Sequence, residues 1–312
     1  MPRPDFPKTI FEFQEWFPDE EACVNFLIQS RWPDGFVCPR CGFNEYFWVK
    51  TRNILECKQC SYQVSPTAGT VMHRTKQPLR MWFHAAYLVT TLTPGMSAVQ
   101  FQRQVGLKYY ETAFTMLHKL RASMVRSGRD QLSGLVEVDE TYIGGERPGR
   151  PGRGAEGKVI VVGAVDVRGD YANKVRLKVI PNVTGATLTG FIKENVIEGS
   201  TIRTDDWGGY SRLEQAGYRH VIAEGEMIHV HRVFSNLKTW LMGTHHGAVR
   251  EQHLQAYLNE FTFRFNRRNT PMAAFQTVLG LASERLGPTY KGLYGIAKGQ
   301  EIYAHPANPR SE

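Results

Sequence analysis

Cysteine is scarce in this chain of 312 residues, with five in all. That is too few for a disulfide framework to hold a molecule of this size. No apolar run approaches the roughly 18–20 residues that a membrane-spanning helix needs. The opening residues lack the apolar stretch of a signal peptide. No internal repeat is present, which argues against a solenoid or propeller. Charged residues make up 22% against 42% hydrophobic ones, so the chain can bury a sizeable core and is not disordered throughout. Acidic residues are in mild deficit, 30 Asp and Glu against 38 Lys and Arg, a formal charge of +8. That surplus favours a polyanionic partner, although many soluble enzymes share it. These absences point to a soluble, cytoplasmic, multidomain protein with no membrane partner.

Composition divides the chain into a helical lead-in (1–30), an aromatic, cysteine-punctuated stretch (31–66), a helical segment (76–128), a region of apolar β-runs (130–285) and a tail (286–312). Between Gly144 and Gly157 lies the one low-complexity piece, rich in Gly and Pro, with Arg147, Arg150 and Arg153 at three-residue spacing. Such a stretch cannot pack and reads as a basic loop, either a plain hairpin linker or a phosphate contact.

Four of the five cysteines are spaced for metal. Cys38-Pro-Arg-Cys41 and Cys57-Lys-Gln-Cys60 are two C-x-x-C knuckles with fifteen residues between them. Each knuckle turns two thiolates toward one ion, and two knuckles complete the tetrahedral shell that Zn²⁺ prefers. Tyr46–Val49 and Ile54-Leu55 read as a strand pair, and Gly42 and Ser61 suit the tight turns after each knuckle. The pattern predicts a zinc ribbon whose ion is structural, because no coordination position stays open. Cys23 falls outside it and reads as a small buried hydrophobe.

The next segment predicts a helix from Pro78 broken at Pro94-Gly95, a short helix over residues 98–105 capped by Ser97 and Gln100, a glycine turn at Gly106, and a longer helix. That is the form of a helix-turn-helix. Lys108, Tyr109, Tyr110, Thr112, Thr115, His118 and Lys119 of the second helix are candidates to face DNA, with plain scaffold as the alternative.

From Leu135 to Ile143 apolar and polar residues alternate, so Val136 and Val138 share one face of a strand while Glu137 and Asp139 share the other. Strands over 158–166 and 174–180, a helix over 186–196 and a short strand ending at Asp205-Asp206 follow. Three strands, a helix and a strand is the order of a ribonuclease H-like mixed sheet. In that arrangement Asp139 and Asp205 can meet on neighbouring strands and share a divalent ion, since hard cations take oxygen ligands. Alone, each would read as a strand-end salt bridge or a turn residue. A helix over 231–243 buries Val233, Phe234, Leu237, Trp240 and Leu241. His231 and Lys238, seven residues apart, lie near one border of that face and Asn236 near the other. Arg264, Arg267 and Arg268 lie along a further helix, either tracking phosphates or forming a solvated face.

Taken together, the two knuckles, Val138-Asp-Glu-Thr-Tyr-Ile-Gly-Gly145, Thr204-Asp-Asp-Trp-Gly-Gly-Tyr210, Phe234-Ser-Asn-Leu-Lys238, Gly243-Thr-His-His-Gly247 and the stretch Tyr257 to Arg268 resemble bacterial insertion-sequence transposases of the zinc-ribbon DDE family numbered fifteen ninety-five. The resemblance covers roughly residues 20 to 285. It implies an α+β multidomain protein: a zinc ribbon, a helix-turn-helix-like DNA-binding segment and a ribonuclease H-like catalytic domain. It further implies cutting and joining of DNA dependent on Mg²⁺ or Mn²⁺, held by Asp139 and Asp205. The implied partners are double-stranded DNA, as element terminal inverted repeats and as target, and a second copy of the chain, in a nucleoid-associated setting. Where a glutamate seven residues before the helical lysine is usual in the wider superfamily, this chain has His231. The third catalytic position falls to His231 or Asn236, with Lys238 beside the phosphate. A non-catalytic DNA-binding regulator and a nuclease without a joining step are the rival readings.

Overall fold

The computed structural model describes residues 6–125, 128–144, 158–247, 249–283 and 286–294. The basic loop with Arg147, Arg150 and Arg153 lies outside them. The chain divides into two compact units, Met1–Arg126 with Asn269–Glu312, and Ser127–Arg268. No described helix is long and apolar enough to cross a membrane.

The first unit opens with helices α1 (Ile10–Trp16) and α2 (Glu20–Arg31). Thr9 and Asp19 start them, their side-chain oxygens accepting from Glu12 N at 3.1 Å and Ala22 N at 2.9 Å. Strands β1 (Tyr46–Val49), β2 (Ile54–Cys57) and β3 (Gln63–Val64) form the antiparallel ribbon. Helix α3 (Leu79–Thr91) begins at Pro78, which offers no side-chain cap. Its first donors are met from elsewhere in the unit: Glu20 accepts from Leu79 N at 2.8 Å and Arg80 N at 3.2 Å. Helix α4 (Ala98–Val105) starts as the sequence predicts, Ser97 accepting from Gln100 N at 3.2 Å, and stops at Gly106 in the left-handed region at φ 68°.

Helix α5 (Tyr110–Ser123) departs from the sequence reading. It is buried along most of its length, including His118, whose ring lies 4.1 Å from that of Phe114. Lys119 is half-buried, 6.0 Å above the ring of Trp82. His118 does not face outward. The helix is apolar on more sides than a single stripe suggests, so only its start, around Lys108, Tyr109 and Tyr110, stays exposed.

In the second unit the meander β4 (Leu135–Ile143), β5 (Val159–Arg168) and β6 (Tyr171–Ile180) is followed by α6 (Gly185–Asn195), β7 (Thr201–Thr204), β8 (Arg219–Ile222), α7 (Ile228–His245) and α8 (Glu251–Phe265). The sheet runs β6-β5-β4-β7-β8. The first three strands are antiparallel, while β7 is parallel to both β4 and β8. One face packs Val136, Val138, Val162 and Ala164 against Leu188, Phe191 and Ile192 of α6. The other packs Val161, Val165, Val175 and Leu177 against α7 and α8. Strand β8 is absent from the sequence reading; its four residues lie at a sheet edge with Val221 and Ile222 exposed, so burial imprints no pattern on them.

Helix α9 (Pro271–Ser283) belongs to the first unit, packing on α3 and also meeting α2 and α5. Its Phe275 sits among the rings of Phe13, Phe17, Phe83 and Tyr87. The sequence reading grouped these residues with the sheet, because chain order alone does not reveal a return to an earlier unit.

Candidate active site and zinc centre

In the ribbon the four Sγ atoms lie within 4.8 Å of one another. Two separations cross between knuckles, 3.7 Å for Cys38–Cys60 and 3.6 Å for Cys41–Cys57. Zn–S bonds of about 2.3 Å in tetrahedral geometry put sulfurs roughly 3.8 Å apart, so the quartet fits Zn²⁺ closely. The turns are the expected ones, with Gly42 at φ 75° and Ser61 at φ 54° in the left-handed region. Gly42 N and Ser61 N donate back to the Cys38 and Cys57 carbonyls, both at 3.0 Å. Cys23 stands apart, fully buried, its thiol pushed up to about 12 by burial and by Glu20.

In the second unit the parallel ladder between β4 and β7 pairs Leu135 with Thr201, Val136 with Ile202 and Glu137 with Arg203. Asp139 lies two residues past Glu137 on the same face of β4, and Asp205 lies just past the end of β7, two residues after Arg203. Asp139 is mostly buried and feels Asp205: burial, and less strongly the negative charge of Asp205, raise its carboxyl above the usual range, against the Glu140 N–H and His231, which lower it. A buried carboxylate whose proton affinity is raised in part by a neighbouring carboxylate suits a divalent cation, which would relieve the repulsion.

Helix α7 brings His231 to Asp139. Its Nε2 lies 3.1 Å from Asp139 Oδ2, and its Nδ1 lies 3.5 Å from Glu226 Oε1. The face predicted to be apolar is buried at Val233, Phe234, Leu237 and Leu241. Lys238 is exposed two helical turns beyond His231, and Asn236 is exposed as well. Opposite Asp139 in the β4–β5 ladder is Gly163. A Cβ there would fall 2.6 Å from Phe234 Cε1, so the absent side chain lets α7 settle onto the sheet beside the acid pair.

Sequence reasoning passed over four residues around the pair. Glu137, 1% exposed, accepts from His229 N at 3.0 Å and Val230 N at 2.9 Å. Glu140 accepts from the hydroxyl of the buried Tyr210 at 2.8 Å, and burial together with Glu140 pushes that phenol far above its ordinary range. Glu226 faces His231. The visible signal was the run Glu137-Val-Asp-Glu140, whose alternation places Glu137 with Asp139; the partners on α7 and at Tyr210 depend on tertiary packing.

Of the remaining candidates, Lys108 is exposed, its ammonium 5.2 Å over the Tyr109 ring. The arginines of α8 are engaged within the unit. Arg264 pairs with the buried Glu260 at 3.5 Å. Arg267 lies 3.9 Å over the Phe263 ring. Arg268 donates to the carbonyls of Ala172, Asn173 and Phe265.

An antiparallel triplet extended by two parallel strands, with helices on both faces, is a ribonuclease H-like arrangement, in which Asp139 lies on β4 and Asp205 just past the end of β7. Residues 131–266 match the ISXO2-like transposase domain, and residues 18–63 match the transposase zinc-ribbon domain. Over these two segments the chain is similar to insertion-sequence transposases. An uncharacterized protein in transposable element ISH50 of Halobacterium salinarum is 27% identical over 297 residues, covering 85% of this chain and 98% of the relative. Among solved structures, the catalytic core domain of BIV integrase aligns with 49% of this chain and 83% of its own, at 16% identity and a TM-score of 0.27. The Mos1 strand transfer complex aligns over 61% and 75%, at 11% identity and a TM-score of 0.25.

Proposed function

We propose that the chain binds the ends of an insertion sequence and carries out metal-dependent DNA strand cleavage followed by strand transfer. The observation that supports this reading is Asp139 on β4 with Asp205 just past the end of the neighbouring β7 and His231 against Asp139. Asp139 and Asp205 would hold Mg²⁺ or Mn²⁺, which when bound supplies Lewis-acid activation of a water or 3′-hydroxyl and offsets charge gathering on the phosphodiester. His231 fills the third position. Its half-exposed imidazole can complete the donor set or carry a proton to the leaving oxygen, and its contact with Asp139 favours it over Asn236. Lys238 supplies a point charge to the flanking phosphate.

The zinc ribbon and the exposed start of α5, with Lys108, hold the end sequences. Arg147, Arg150 and Arg153 are assigned to phosphate contact from the sequence alone. Joining requires two ends at once, so the chain works as a dimer on DNA, in the bacterial cytoplasm. A strand-transfer assay on end-sequence DNA with Mg²⁺ or Mn²⁺ tests the reading. Cutting and joining are expected, with Asp139→Asn and Asp205→Asn losing both while retaining end binding. Binding without cutting would make the chain a regulator, and cutting without joining a nuclease.

A further inference from the structure

We infer that Glu137 is a positioning residue, setting where His231 stands against Asp139 by anchoring the first turn of α7; this rests on the acid-site reading above. The argument begins with an accounting of helix donors. An α-helix leaves its first N–H groups without internal partners, and α7 has no side-chain cap of its own, its N-cap being Met227. Ile228 N donates to the Glu226 carbonyl at 3.1 Å, and His231 N returns to the Met227 carbonyl, also at 3.1 Å. The two donors between them, His229 N and Val230 N, both go to one oxygen of Glu137. The other oxygen lies 3.7 Å from the Arg203 guanidinium.

Each group in this clamp sits just behind a member of the site. Glu137 precedes Asp139 by two residues in β4, Arg203 of β7 precedes Asp205 by two, and His229 precedes His231 by two in α7. Residues two apart on a strand share a face, so clamp and site form two tiers, the lower tying together the three elements that carry the upper. An apolar side chain could seat a helix on this strand without desolvating a charge. What the carboxylate adds is a fixed point: charge-assisted bonds to two consecutive N–H groups at the positive end of the helix define its start. Shortening the side chain by one methylene, about 1.5 Å, withdraws that point, and displacements near 1 Å at a reacting centre cost on the order of a hundredfold in rate.

The test compares wild type with Glu137→Gln, Glu137→Asp and Glu137→Ala in the full chain. It uses end-DNA cleavage kinetics and Mn²⁺ binding by electron paramagnetic resonance, with folding checked by circular dichroism. Gln keeps an acceptor oxygen in place and is expected to lose about threefold in kcat. Asp and Ala should lose at least about tenfold, with KM for DNA held within about twofold and Mn²⁺ bound at least about fivefold more weakly. Two withdrawal variants are used so that one remains if the other does not fold. Asp and Ala proteins with wild-type kcat and Mn²⁺ affinity would reduce Glu137 to a structural role and overturn the inference. So would a Gln variant as impaired as both, because charge and not position would then be the cause. A wild-type chain that neither cuts nor binds Mn²⁺ defeats the acid-site reading instead.

Discussion

At the scale of the residue, Asp139 concentrates the tension in the site. Burial and the neighbouring Asp205 raise its carboxyl, so the folded chain binds this proton more tightly than the unfolded one. The sign follows from linkage: the contribution of Asp139 to stability is present at low pH and is lost as pH rises through the raised value. With EDTA present, Asp139→Asn is therefore expected to raise Tm at neutral pH, the gain shrinking as pH falls toward the ordinary carboxylate range. Thermal melts of both proteins across that range check it. Mg²⁺ should raise the Tm of the wild type and leave Asp139→Asn unmoved, because a ligand stabilises only the state that binds it. Both aspartates stand out as candidates from alternation and strand order. The half-exposed His231 could be placed only on a border of its helix, since its contact with Asp139 depends on how α7 seats.

At the scale of the element, two helices take their start from distant carboxylates: α3 from Glu20 and α7 from Glu137. Local cap chemistry was readable at Ser97, whose partner is three residues away. It was unreadable where donor and acceptor are separated by 59 or 92 positions, as for Leu79–Glu20 and His229–Glu137. Gly163 is a similar case, an ordinary glycine in an apolar strand until Phe234 is packed over it. Gly163→Ala forces α7 off the sheet, and destabilisation by about 1–3 kcal/mol is expected from overpacking. Cleavage should fall with it, and Phe234→Leu in the same chain should restore part of both; urea melts and end-DNA cleavage decide. The basic stretch at and just past the end of α8 makes contacts that its spacing did not specify. Arg268 caps carbonyls of its own unit, so Arg268→Gln should lower stability by about 1 kcal/mol while leaving the salt dependence of DNA binding unchanged.

At the scale of the whole molecule, the zinc ribbon and the acid-bearing sheet are separable in what each needs. About one zinc per chain is expected, held by four thiolates. Its removal by a chelator, or through Cys38→Ser, should abolish end binding without unfolding the sheet, as followed by DNA gel shift and circular dichroism. A chelator that leaves end binding intact would take the ribbon out of recognition. Net charge belongs to this scale too, as it bears on association and not on fold.

Spacing and alternation were enough to determine the zinc knuckles and the strands from β4 to β7, and to single out Asp139 and Asp205 as candidates. Each of these depends on a fixed chemical interval: two residues between thiolates, a period of two along a strand, sixty-six positions between register partners. Tertiary structure alone decided that α5 is mostly buried, that α9 returns to the first unit, that Arg268 donates to carbonyls of its own unit, and that a carboxylate two residues from Asp139 holds the helix bearing His231. Those outcomes rest on which surfaces meet, and a surface acquires its partner only when distant stretches of chain are brought together.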